Sequence, residues 1–221
     1  MVIGKVSAIG PDSLTVSFEL YDVAGRRQLQ SREYRIQLEQ WRDAAHQIAD
    51  IIYTEITGVR GAFRARSCTC WRKTRDPQAR YKLEIADTDG QRARTLYSSP
   101  QPILSASWAP DGKRVAYVSF ETGRPSIILQ DVNGPYREQL TSFRGINGSP
   151  VFSPDGKELA MVLSRDGDPE IFIMNLATRK LRRITRHRAI DTEPSWSPDG
   201  EKLIFTLIAA ATPDLSGGIG D

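Results

Sequence analysis

A six-residue string occurs three times in this chain at a constant distance. Trp108-Ala109-Pro110-Asp111-Gly112-Lys113 returns as Phe152-Ser153-Pro154-Asp155-Gly156-Lys157 and again as Trp196-Ser197-Pro198-Asp199-Gly200-Glu201, each copy 44 residues after the last. Positions outside the string keep the same offset: Asp87, Asp131 and Asn175; Leu96, Leu140 and Ile184; Pro125, Pro169 and Pro213. A tandem repeat of this length means that the chain stacks one supersecondary unit on the next, since no single unit can bury its apolar face alone.

Within one period the apolar residues come in short alternating runs, as in Val115-Ala116-Tyr117-Val118 and Leu159-Ala160-Met161-Val162, which is strand periodicity. Four strands fit each repeat, and in the second they are expected at about 147–152, 158–163, 170–175 and 181–185. Asp-Gly between the first two suits a tight turn, because Gly adopts positive φ without strain and the preceding Pro sets the approach. A four-stranded unit of this length is the size of a propeller blade.

Residues 1–58 read differently. Val2–Val6, Leu14–Tyr21 and Gln28–Ile36 have strand character, and Leu38 to Thr57 reads as a helix whose apolar face is Trp41, Ala45, Ile48, Ile52 and Ile56, with Gly58 placed to end it. The fold class is therefore an α+β N-terminal domain (1–58), a linker (59–66) and an all-β, incomplete propeller (67–221). Counting back one period from Val115–Val118 reaches residues 71–74, where no strand pattern is visible, beside Ser67-Cys68-Thr69-Cys70-Trp71. Restoring one base before Ser67 would encode Ile, Leu/Met/Val, His/Tyr, Leu/Met/Val and Leu, a strand-like run. The expectation is that residues 67–71 are read in a shifted frame and that Cys68 and Cys70 are not natural features; the alternative is a genuine irregular linker. The repeat also breaks after Thr206: Leu207–Ala211 replaces the polar turn at Ser164–Asp168 and Leu215–Gly218 offers no third strand, so a fragment with a shifted tail is expected.

Composition excludes more than it assigns. A formal net charge of +3, with 26% charged and 39% hydrophobic residues, favours no highly charged partner. The longest nearly apolar run, Leu203–Ala211, is far shorter than the roughly 20 residues that span a bilayer. Met1-Val2-Ile3-Gly4-Lys5 is not the start of a secretory signal, so either the chain is cytosolic or its beginning is missing. There is no nucleophile elbow, P-loop, H-E-x-x-H or dinucleotide fingerprint, and no catalytic residue or cofactor is expected. Asp87-Thr88-Asp89-Gly90 opens like a calcium loop but has Ser98 at the twelfth position, and its repeat mates make it a blade turn. Cys68 and Cys70, with only His46 and His187 in the chain, make no metal set. Arg179-Lys180-Leu181-Arg182-Arg183 reads as a solvated outer strand and not as a nucleic-acid surface.

Beyond the repeat, the junction Leu38-Glu39-Gln40-Trp41-Arg42-Asp43-Ala44-Ala45-His46, the run Ile56-Thr57-Gly58-Val59-Arg60-Gly61-Ala62-Phe63, Ser99-Pro100-Gln101-Pro102-Ile103 and Asp191-Thr192-Glu193-Pro194-Ser195-Trp196 resemble the TolB family of the Tol-Pal system. The resemblance implies a six-bladed periplasmic propeller, not an enzyme, with TolA and the lipoprotein Pal as partners. It implies a link between envelope layers that supports outer-membrane integrity and invagination at division, with no nucleic acid, small-molecule substrate or membrane insertion. Polar residues where each innermost strand begins, Asn147, Ser149, Asp191 and Glu193, are the candidate contacts to Pal, stiffened by Pro150 and Pro194. Two rivals are the propeller of a prolyl-oligopeptidase-like hydrolase, which needs a Ser/Asp/His domain absent from this chain, and an orphan protein-binding propeller.

Overall fold

The computed structural model describes residues 1–72, 80–186 and 188–208. The chain divides into two compact units, Met1–Ser67 with Ala86–Arg92, and Cys68–Ile85 with the chain from Ala93 onward.

In the first unit β1 (Val2–Gly10), β2 (Ser13–Asp22) and β3 (Arg27–Gln37) form an antiparallel meander, followed by a short 3-10 turn (Leu38–Gln40) and helix α1 (Trp41–Thr57). Period-two alternation on β2 buries Phe18 and Leu20. Gly58 closes the helix in the left-handed conformation (φ 70), its N–H donating to the Thr54 carbonyl at 2.8 Å. The helix lies against β2 and β3, and only part of the expected face is covered. Ala44 is buried and Ile48, Ile51 and Ile52 half-buried, whereas Trp41, Ala45 and Ile56 are exposed. The glycine-containing segment after the helix runs back along it: Gly61 N–H donates to Thr54 Oγ1 at 3.2 Å and Phe63 N–H to Asp50 Oδ1 at 2.7 Å. A Cβ on Gly61 would meet Asp50 Cα at 2.6 Å, so only glycine passes there.

The second unit is a series of sheets in chain order. β4 (Arg66–Trp71), β5 (Tyr81–Asp87) and β6 (Arg94–Ser99) form the first. β7 (Ile103–Trp108), β8 (Arg114–Ser119), β9 (Ser126–Asp131) and β10 (Arg137–Thr141) form a four-stranded sheet, and β11 (Asn147–Phe152), β12 (Glu158–Leu163), β13 (Glu170–Asn175) and β14 (Leu181–Arg183) form another. β15 (Ile190–Trp196) pairs with β16 (Leu203–Ile208). The first three strands of the second repeat have their expected bounds. Arg66–Trp71, where no strand pattern was visible, is a strand with the residues as they stand: Cys68 and Cys70 turn toward the core while Thr69 and Trp71 face out. Burial pushes the Cys68 thiol up to about 11, so it is a small apolar filler at neutral pH. The tail expectations at 209–221 and His187 lie outside the described residues.

The apolar cores lie between successive sheets. Leu83, Ile85, Val115 and Tyr117 share one cluster; Val118, Phe152, Leu159, Met161 and Phe172 share the next. Period two explains this directly, because alternate residues of β8 contribute to opposite clusters: Val115 and Tyr117 to one, Ala116 and Val118 to the other. The repeated turns are built alike. Gly112, Gly156 and Gly200 have φ of 66, 70 and 76, and the Asp before each accepts the backbone N–H of Lys113, Lys157 or Glu201. The Ser153 hydroxyl, then that backbone N–H, hold Asp155 below the usual carboxylate range, and Ser197 does the same for Asp199. Each turn also stacks on its predecessor: a Cβ on Gly200 would lie 3.4 Å from Pro154 Cδ, and one on Gly156 3.6 Å from Pro110 Cδ.

Candidate protein-binding rim

The first strands of successive sheets converge, β11 lying beside β7 on one side and β15 on the other. Each carries the same irregularity at the same place. Pairing with the second strand shifts between Leu104 and Ser107, between Gly148 and Val151, and between Thr192 and Ser195. Two residues therefore oppose one partner, Tyr117, Met161 or Phe205, which is a β-bulge. The first bulge residue is left-handed every time: Ser105 (φ 50), Ser149 (φ 46) and Glu193 (φ 53). Glycine is the residue that takes this position without cost, and a side-chain-bearing residue there costs roughly 1–2 kcal/mol. The second bulge residue is Ala106, Pro150 or Pro194; a bulge leaves that N–H outside the ladder, which is where Pro is tolerated.

The bulges separate the four sequence-selected residues into two kinds. Ser149 is half-buried and Glu193 exposed, both re-aimed by the left-handed backbone. Asn147 and Asp191 are buried, with 1% and 0% of their area exposed, and so do not belong to the exposed row. Asn147 is used by its own loop: Oδ1 accepts the Phe143 N–H at 3.0 Å, and Nδ2 donates to the Phe143 carbonyl at 2.7 Å and the Gly145 carbonyl at 3.3 Å. Asp191 donates its backbone N–H to the Pro169 carbonyl at 2.9 Å. Ser105, which sequence reading missed, is the exposed third member of the row. Pro150 and Pro194 inside strand-like runs were the available signal for the bulges, since Pro has no donor for a ladder.

The row can offer hydroxyl and carboxylate groups to a partner surface. Among the described residues there is no group of three or more His, Cys, Asp or Glu side chains able to hold a metal, and no helix long and apolar enough to cross a membrane. The basic run is largely spent on structure: Arg183 pairs with the buried Glu170 at 2.7 Å, Arg179 pairs with Glu138, and Arg182 stays mostly exposed.

Comparison with known proteins places these features in a family. The profile of the TolB beta propeller domain matches residues 53–215. The Tol-Pal system protein TolB of Acinetobacter baylyi is 44% identical over 149 residues, 67% of this chain and 35% of that protein. Its counterpart from Thioalkalivibrio sulfidiphilus is 47% identical over 147 residues, 66% of this chain and 34% of its own length. The crystal structure of TolB from Acinetobacter baumannii superposes with a TM-score of 0.84 at 44% identity, covering 93% of this chain and 51% of that one. The chain thus spans about a third of the length of the curated relatives it matches. The matched range takes in all three Pro-Asp-Gly turns and most of the chain, and the chain belongs to the TolB β-propeller family.

Proposed function

We propose that this chain is part of a non-enzymatic periplasmic component of the Tol-Pal system that links TolA with Pal, supporting outer-membrane integrity and invagination during division. The observation that carries this reading is the 44–47% identity to proteins named Tol-Pal system protein TolB. The rim adds a physical reason to look for Pal at one end of the propeller. Ser105, Ser149 and Glu193 are held by strained backbone at equivalent places, so they lose little further freedom when a partner is bound.

The test is calorimetry with purified Pal. Combined Ser149→Ala and Glu193→Gln substitution in the full-length protein should weaken binding by about 1–2 kcal/mol, since one of the two groups is charged and both sit at a wet surface. TolA binding, which on this reading belongs to the N-terminal α/β domain, should be unchanged. Wild-type affinity for Pal in the double variant would remove the row from the interface.

A further inference from the structure

The turn from Asp87 to Arg92 differs from its counterparts in the next two repeats. One position after the repeated Asp/Asn stand Thr88, Val132 and Leu176, spaced by 44. Val132 and Leu176 are buried in the apolar clusters, 2% and 8% exposed, and their N–H groups donate to the carbonyls of Lys113 and Lys157 at 2.8 and 2.9 Å. Thr88 is exposed, and its N–H reaches the Ala65 carbonyl at 3.3 Å. The apolar pin that seats the other two turns is missing from this one.

In its place is a set of charges aimed at α1. The Arg92 guanidinium forks between two carboxylates, reaching Asp43 at 2.7 and 3.1 Å and Asp87 at 2.8 and 3.1 Å. Arg42 of α1 binds Asp89 and lies 3.7 Å from Asp87, and His46 Nε2 is 3.7 Å from Asp89. Arg92 is itself left-handed (φ 52), so its backbone is held in a costly conformation while the fork is made. Asp-Thr-Asp-Gly-Gln-Arg contains no apolar side chain that could hold the turn once the charges were screened.

We infer that the Asp87–Arg92 turn is a releasable strap, held on α1 by charge, that opens while the sheets stay folded. Asp87 itself is buried, but the pairs that reach α1 from Arg92 to Asp43 and from Asp89 to Arg42 have solvent-exposed carboxylates. Such pairs weaken as the Debye length falls from about 10 Å at 0.1 M salt to about 3 Å at 1 M, whereas a buried Val or Leu does not respond in that way.

Residue-resolved amide hydrogen exchange on the chain tests this, with Thr88, Gly90 and Gln91 as reporters and Val132 and Leu176 as internal controls. Raising NaCl from about 0.05 M to 1 M should speed exchange at the three reporters at least about fivefold and leave the controls within about twofold. Arg92→Gln should exchange rapidly at the reporters at both salt concentrations with unchanged controls, and Arg92→Lys, which keeps the charge but not the fork, should fall between. Should Arg92→Gln disturb the controls, Arg42→Gln is the variant to read. Reporters that ignore salt, controls that respond equally, or wild-type protection in the variant whose controls are intact would each overturn the inference.

Discussion

Phe152→Ala should lower the stability of the chain by about 3–5 kcal/mol, the range for removing a buried aromatic ring. Phe152 occupies the aromatic position of the repeated string, is 5% exposed, and belongs to the cluster filled by β8, β12 and β13 side chains. That cluster is the medium through which two sheets are joined, so a cavity there is lined by side chains on both sides and cannot close by moving one loop. Its repeat mate Trp196 is half-buried and is tied instead by its indole N–H, which donates to the Val151 carbonyl at 3.2 Å. Urea unfolding followed by tryptophan fluorescence measures the loss. A loss under about 1 kcal/mol would mean that the sheets are not held together by this core.

The second large effect separates a residue that builds the rim from one that is offered by it. Asn147→Ala should cost about 2–3 kcal/mol, because it removes one acceptor and two donor contacts and leaves the Phe143 N–H and carbonyl without their partner in a part-buried loop. Ser149→Ala, two residues along the same strand, should change stability by less than about 0.5 kcal/mol. The same unfolding experiment ranks the two. Equal costs would show that Asn147 is not the loop's anchor.

These two positions also show how far the sequence could be read. Periodicity found the sheets because a 44-residue repeat carries turn chemistry and alternation together, and β11, β12 and β13 follow it residue for residue. Polarity alone could not separate Asn147 from Ser149. Their roles differ through a backbone irregularity that rotates one side chain outward, and serine or glutamate gives no compositional hint of a left-handed φ. At Arg66–Trp71 the register called for a strand, but the residues as they stand showed no strand pattern, because Cys is read as a special residue although it behaves as a small apolar one when buried. Cys68 and Cys70 keep the alternation that Leu or Val would have announced. On α1 the expected stripe holds in part: Ile48 and Ile52 are half-buried, but Trp41, Ala45 and Ile56 are exposed and the buried residue is Ala44, which the stripe left out. The charge set at Asp43, Asp87 and Arg92 joins residues up to 49 positions apart, which no local pattern reports.

The Pro-Asp-Gly ends of the first hairpins stack sheet on sheet, and the bulged segments are the ones we propose to meet a partner. A hydrogen-exchange footprint of the full-length protein with purified Pal tests that proposal most directly. Protection is expected at residues 104–107, 148–151 and 192–195, the bulged segments. Protection confined to the turns at 109–113, 153–157 and 197–201, or none in either set, would contradict it.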